Sequence, residues 1–236
     1  GEFAVQLDGY TLKTISVQPT LGWFNWKNVG AFINLPAGQH TIKFLALTSF
    51  HPDDEDLFNL HWIKFTKQKL LWSDEFNYNG PVYAGNWTHE VQPPGWVNQE
   101  AQWYTDSLEN THVENGSLTI EAKNNYIGQF SYSSGRIKTH NKHNWLYGRV
   151  EVRAKLPGGN GAWPAIWLLA ANEGTYGSYG GWPAIGELDI MEHVGFEPEL
   201  IHGSAHNLTN NAGNALTSSY VVADNEDAFH VYTIEW

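Results

Sequence analysis

Hydrophobic and polar residues alternate with period two along much of this 236-residue chain. In YGRVEVRAKL, Val150, Val152, Ala154 and Leu156 alternate with Arg149, Glu151, Arg153 and Lys155, which puts one face of a strand in a core and the other in water. SLTIEAK, SGRIKT, AWPAIWLLA, GELDIMEHV, LIHGSAHN, SSYVV and FHVYTIEW are similarly short and strand-like, with Gly, Asn and Pro between them. Few windows carry the three-to-four spacing of an amphipathic helix. The pattern predicts an all-β chain whose larger part, residues 69–236, is an antiparallel sandwich. Residues 1–68 form a separate β segment: YTLKTISV, AFINL, HTIKFLAL and NLHWIKFT predict four or five strands, a small sheet or half of a sandwich, with LPAGQH as a turn and HPDDED as an acidic loop. The stretch from LLWSDEFN through YNGPVYAGNW and QPPGW reads as loop-rich.

One strand breaks the alternation. ELDIME, residues 187–192, holds three carboxylates among apolar neighbours. As a regular strand it would place Glu187 and Asp189 on one face and send Glu192 to the other with Leu188 and Ile190. An unpaired carboxylate among apolar side chains is costly. One extra residue, a β-bulge at Ile190-Met191, restores the parity and turns all three acids to one face. Five residues at about 3.3 Å separate the two glutamate Cα atoms by roughly 16 Å, less with a bulge and curvature. Two long side chains leaning together can then bring the carboxyl groups to the order of 5–6 Å, the spacing of a retaining glycosidase. Asp189 between them can hydrogen-bond one glutamate and, by like-charge repulsion, keep the pKa of the other high. A solvated acidic edge strand is the competing reading. A cation site is another, but it needs six to eight oxygens, and no second acidic cluster with loop spacing stands nearby.

Composition narrows the ligand. The chain has 12 Trp, 11 Tyr and 11 Phe, only 16% charged residues and a net charge of −12. The charge argues against nucleic acid or an anionic membrane as partner, and no apolar run approaches the roughly 18 residues that span a bilayer. Without Cys, disulfides, thiolate metal sites and Cys nucleophiles are excluded. An acidic, Trp-rich β protein suits a neutral polyhydroxylated ligand whose C–H faces pack on aromatic rings, although a well-filled core uses Trp equally well.

GELDIMEHVG, preceded by SGRIKT and YGRVEVRAKLPGGNGAWPAIWLLA and followed by HGSAHN, resembles glycoside hydrolase family 16, most closely its laminarinase-like β-1,3-glucanases. LLWSDEFN and NQEAQWYTD upstream extend the likeness over about residues 70–236. The resemblance implies a β-jelly-roll sandwich with a cleft on its concave face and a retaining double displacement. By motif position it implies Glu187 as nucleophile, Asp189 as assisting acid and Glu192 as general acid/base. It offers Trp163, Trp167 and Trp182 as sugar platforms, Arg136 as a sugar contact near the cleavage site, His206 as a residue facing the acids and Asn98 as a weaker carry-over. His202 and His206, about 13 Å apart on a strand, are too distant to share one ion. The family implies no catalytic metal, but a structural calcium for which Glu75 is a candidate ligand. The substrate implied is a polysaccharide, β-1,3-glucan first, with mixed-linkage glucan, agarose or another galactan as alternatives and a non-catalytic glucan-binding protein as a different class. A secreted monomer is expected. The chain ends on a strand without a closing turn, which suggests a C-terminally truncated sandwich. The first segment, LDGYTLKTISV through LFNLHWIKFT, resembles the second half of a family 6 carbohydrate-binding module, with Trp26 and Asn59 as its binding residues.

Overall fold

The computed structural model describes residues 2–17, 29–31, 33–48, 63–65, 69–171 and 181–236, and they fall into two compact units that divide between Leu71 and Trp72. In the first unit, β1 (Glu2–Leu7) pairs antiparallel with β2 (Tyr10–Ser16) on one side and β3 (Ile42–Thr48) on the other. Asp8 and Gly9, both at positive φ, make the two-residue turn between β1 and β2. Phe3, Ala4, Val5 and Leu7 are buried on this central strand. AFINL has no strand at its described residues, most of NLHWIKFT lies outside the described residues, and of the four or five strands expected three stand among the described residues.

Among its described residues the second unit carries thirteen strands: β4 (Thr88–His89), β5 (Gln102–Tyr104), β6 (Thr111–Glu114), β7 (Ser117–Ile120), β8 (Lys123–Ile127), β9 (Phe130–Ser134), β10 (Ile137–Lys138), β11 (Arg149–Ala154), β12 (Ala165–Leu169), β13 (Glu187–His193), β14 (Leu200–His206), β15 (Leu216–Val221) and β16 (His230–Glu235). Its only regular non-strand element among the described residues is a short 3-10 turn, Ala212–Asn214. The protein is all-β, and each of the eight strand-like stretches read from residues 117–236 overlaps one of these strands. The stretch read as loop-rich also holds strand β4, and β5 follows it.

A four-stranded antiparallel sheet, in the order β12-β13-β14-β15, builds the site. Its back face sends Ile190, Met191 and Ile201 into a core with Leu156 and Tyr232. Val150, Ala154 and Ile234 of the β11–β16 pair pack against the same cluster, supplying the second layer. Alternation in YGRVEVRAKL therefore has the meaning read from it: the apolar set faces the core of a sandwich.

Candidate active site

Register fixes what the front face of that sheet displays. β13 opposes β14 as Glu187 to His206, Asp189 to Ser204 and Glu192 to His202, with a shift between Asp189 and Glu192. Two residues, Ile190 and Met191, thus stand against Gly203 alone, and this is the bulge that parity demands. On the other side β12 opposes the same strand as Leu169 to Glu187, Trp167 to Asp189 and Ala165 to Glu192. Directly opposed residues share a face. All three acids therefore stand in one row on the front, flanked by Trp167 and by Ser204, His202 and His206. Ile190 and Met191 are both buried behind them.

The acids differ in environment. Asp189 is buried, whereas Glu187 and Glu192 are half-buried. Burial first, and then the charges of Glu187 and Glu192, push the Asp189 carboxyl from 3.8 up to about 7; a hydrogen bond to Glu187 adds to the rise. The structure places the raised carboxyl at Asp189, because the middle position of the row is the one shielded from water and it faces a charge on each side. Asp189 Oδ2 accepts from His206 Nε2 at 2.9 Å. The His206 ring lies 5.9 Å from that of Trp182.

Glu187, Asp189 and His206 offer ligand atoms within 4.8 Å of one another, and they are the one such trio among the described residues. Its chemistry does not suit a cation: His206 Nδ1 receives the backbone N–H of Ala212, so the ring's lone pair points away from the carboxylates. Glu75, the candidate calcium ligand, is exposed and joins no trio among the described residues. Its neighbour Asp74 is the anchored one, accepting from Phe76 N–H, Tyr78 Oη, Asn86 Nδ2 and Trp87 Nε1.

The other candidates divide. Trp163 is exposed and its Nε1–H donates to Glu192 Oε1 at 3.0 Å, which ties it to the acid row. The loop that carries it is held from below, where Gly195 sits against the carbonyl of Gly159. Trp167 faces the cleft and stacks under the Arg136 guanidinium at 4.9 Å. Arg136 also lies over Trp96 at 5.1 Å and Tyr104 at 5.7 Å, and pairs with Glu90. Burial raises the Glu90 carboxyl, but Lys138 and Arg136 outweigh it and hold it below its usual range. Trp182 is half exposed beside His206. Asn98 is exposed at φ 48° in a turn, and no hydrogen bond links it to the acid row. Trp26 and Asn59 lie outside the described residues. His202 is engaged by Ser219 Oγ and Glu197. Glu90, Trp96 and Tyr104 escaped the sequence reading because they come from segments with no periodic signal; the Trp in QPPGW was the available clue.

Comparison with known proteins agrees with this arrangement. Residues 97–236 match the family model for glycosyl hydrolases family 16, and residues 1–67 match that for carbohydrate binding module (family 6). A beta-glucanase of Rhodothermus marinus is 45% identical over 179 residues, covering 75% of this chain and 60% of that protein. A glucan endo-1,3-beta-glucosidase of Cryptopygus antarcticus is 38% identical, covering 71% and 62% respectively. The chain thus spans about 60% of the length of these curated relatives. The crystal structure of the Rhodothermus marinus laminarinase superposes with a TM-score of 0.68 at 46% identity, over 71% of this chain and 67% of that one.

Proposed function

The chain belongs to glycosyl hydrolase family 16, and from that premise we propose that it is a retaining endo-glycosidase acting on β-1,3-linked glucan. The observation that carries the reading is the bulged strand, which aligns Glu187, Asp189 and Glu192 on one face. Glu187 attacks the anomeric carbon while Glu192 protonates the leaving glycosidic oxygen. Asp189 keeps its proton and donates a hydrogen bond to Glu187, which favours the ionised form that attacks. In the second half Glu192 takes a proton from water, which displaces Glu187 and restores the starting configuration. Trp163, Trp167 and Trp182 offer indole faces to the sugar rings, and Arg136, oriented by Glu90, closes the same wall.

The substrate is read from relatives that include a glucan endo-1,3-beta-glucosidase and a laminarinase, and from the acidic net charge. That charge disfavours a sulfated galactan. The first unit, matching a carbohydrate-binding module, would hold the same polymer. A polymeric glucan is too large to enter a cell, so the reading extends to a secreted protein. The test is reducing-sugar release from laminarin, lichenan, agarose and carrageenan by this chain and by Glu187→Gln. Laminarin hydrolysis that disappears in Glu187→Gln is expected. Activity on agarose alone, or activity undiminished by Glu187→Gln, overturns it. Binding to laminarin without any turnover favours the glucan-binding alternative.

A further inference from the structure

The loop that follows β14 touches the acid row through His206. His206 ends β14; its Nε2 lies 2.9 Å from Asp189 Oδ2 and its Nδ1 lies 3.2 Å from the backbone nitrogen of Ala212. A backbone N–H can only donate, so Nδ1 must accept and the ring proton belongs on Nε2. From Nε2 it is donated to Asp189 Oδ2. The carboxyl proton of Asp189 is thereby left on the other oxygen, available to Glu187, with which Asp189 shares a hydrogen bond. In the opposite tautomer Nδ1–H would confront the Ala212 N–H, and the bare Nε2 would draw the Asp189 proton onto Oδ2, away from Glu187.

Ala212 is held in place with unusual insistence. Asn207 Oδ1 accepts from Thr209 N–H, Thr209 Oγ1 and Asn210 N–H, each at 2.9 Å. Asn211 Nδ2 donates to the carbonyls of Asn207 and Leu208, and Asn207 N–H donates to the Asn210 carbonyl at 2.7 Å. Ala212 itself stands at φ 47°, a left-handed conformation that a residue with a Cβ adopts only when its surroundings over-determine it. That conformation presents its N–H to the imidazole.

We propose that residues 207–212 form a tautomer lock, in which Asn207 is a positioning residue that acts through the Ala212 amide and His206 on the proton of Asp189. The catalytic consequence rests on the hydrolase reading above; the tautomer itself does not. The experiment is long-range proton–nitrogen correlation NMR of the whole chain labelled with ¹⁵N-histidine, with His206 identified by the signals lost in His206→Gln. The expected spectrum shows an unprotonated Nδ1 and a protonated Nε2 at His206. In Asn207→Ala the two nitrogens move toward a tautomer average, kcat on laminarin falls severalfold with KM little changed, and the pH profile shifts. Asn207→Asp keeps the accepting oxygen and restores both the spectrum and the profile. A protonated Nδ1 in the unmutated chain overturns the lock, as does an Asn207→Ala spectrum and pH profile identical to the parent. If the unmutated chain fails to hydrolyse laminarin, the hydrolase reading falls, and the nitrogen shifts still decide the lock.

Discussion

Asp189→Asn is expected to stabilise this protein at alkaline pH while removing its activity. Asp189 is 5% exposed, and its carboxyl is raised from 3.8 to about 7, first by burial and then by its two glutamate neighbours. A raised carboxyl means the folded state holds the proton more tightly than the unfolded chain does. Its contribution to stability is fully present below the unfolded value of 3.8 and is lost as the pH climbs to about 7. Above that, the fold carries a buried charge beside two others. A shift of about three units corresponds to roughly 4 kcal/mol, and because Glu187 and Glu192 share the repulsion the gain on removing the charge is set at about 1–4 kcal/mol. Asparagine fits the site: its oxygen can accept from His206 Nε2 and its amide can donate to Glu187, as the protonated acid does. Each kcal/mol is worth about 2–4 °C of Tm in a chain of this size. Thermal unfolding by circular dichroism across the acid-to-alkaline range is the assay. The variant should exceed the parent above neutral pH, and the gap should close toward acid pH. A variant less stable than the parent at alkaline pH, or two stability curves that run parallel with pH, would refute the reasoning.

Three further substitutions probe the frame around the acids. Met191 is the bulge residue and is 1% exposed in the core behind the row; Met191→Ala should cost about 2–5 kcal/mol in urea unfolding. Gly195→Ala would set a Cβ 1.9 Å from the Gly159 carbonyl oxygen. It should lower both Tm and laminarin turnover, since the displaced loop carries Trp163. Glu90→Gln removes the charge that Arg136 and Lys138 share, and a loss of about 1–3 kcal/mol is expected. Because that carboxyl is held below its usual range, the parent's advantage over Glu90→Gln should be full near neutral pH and fade as the pH falls through the acid range.

How much of this was legible in the sequence depends on the residue. The second half was readable because its strands are half-buried: in β11 the apolar set faces the core, so burial imposes period two. ELDIME was readable for a stronger reason, because parity there conflicts with the cost of burying a charge, and a bulge is the only local remedy. The short strands β4 and β5 carry too few residues to show a period. The hairpin β6–β7 turns on Asn115-Gly116, both at positive φ, a signal present in the sequence and the reason those strands pair. Parity told which face each acid takes, but not how deep each lies. Depth comes from strands β12 and β14 on either side, which bury the Asp189 carboxyl and raise it. The Arg136 cage of Glu90, Trp96 and Tyr104 is a product of tertiary packing among four separate segments, and no spacing rule joins them.

The central claim is that Glu187 and Glu192, turned to one face by the bulge, act as nucleophile and acid/base of a double displacement. Proton NMR of laminarin hydrolysis, recorded before mutarotation equilibrates the products, reads that claim directly. The account predicts that the β-anomer of the new reducing end appears first and the α-anomer grows in later. An α-anomer formed first would mean single-step inversion by water, and would contradict it.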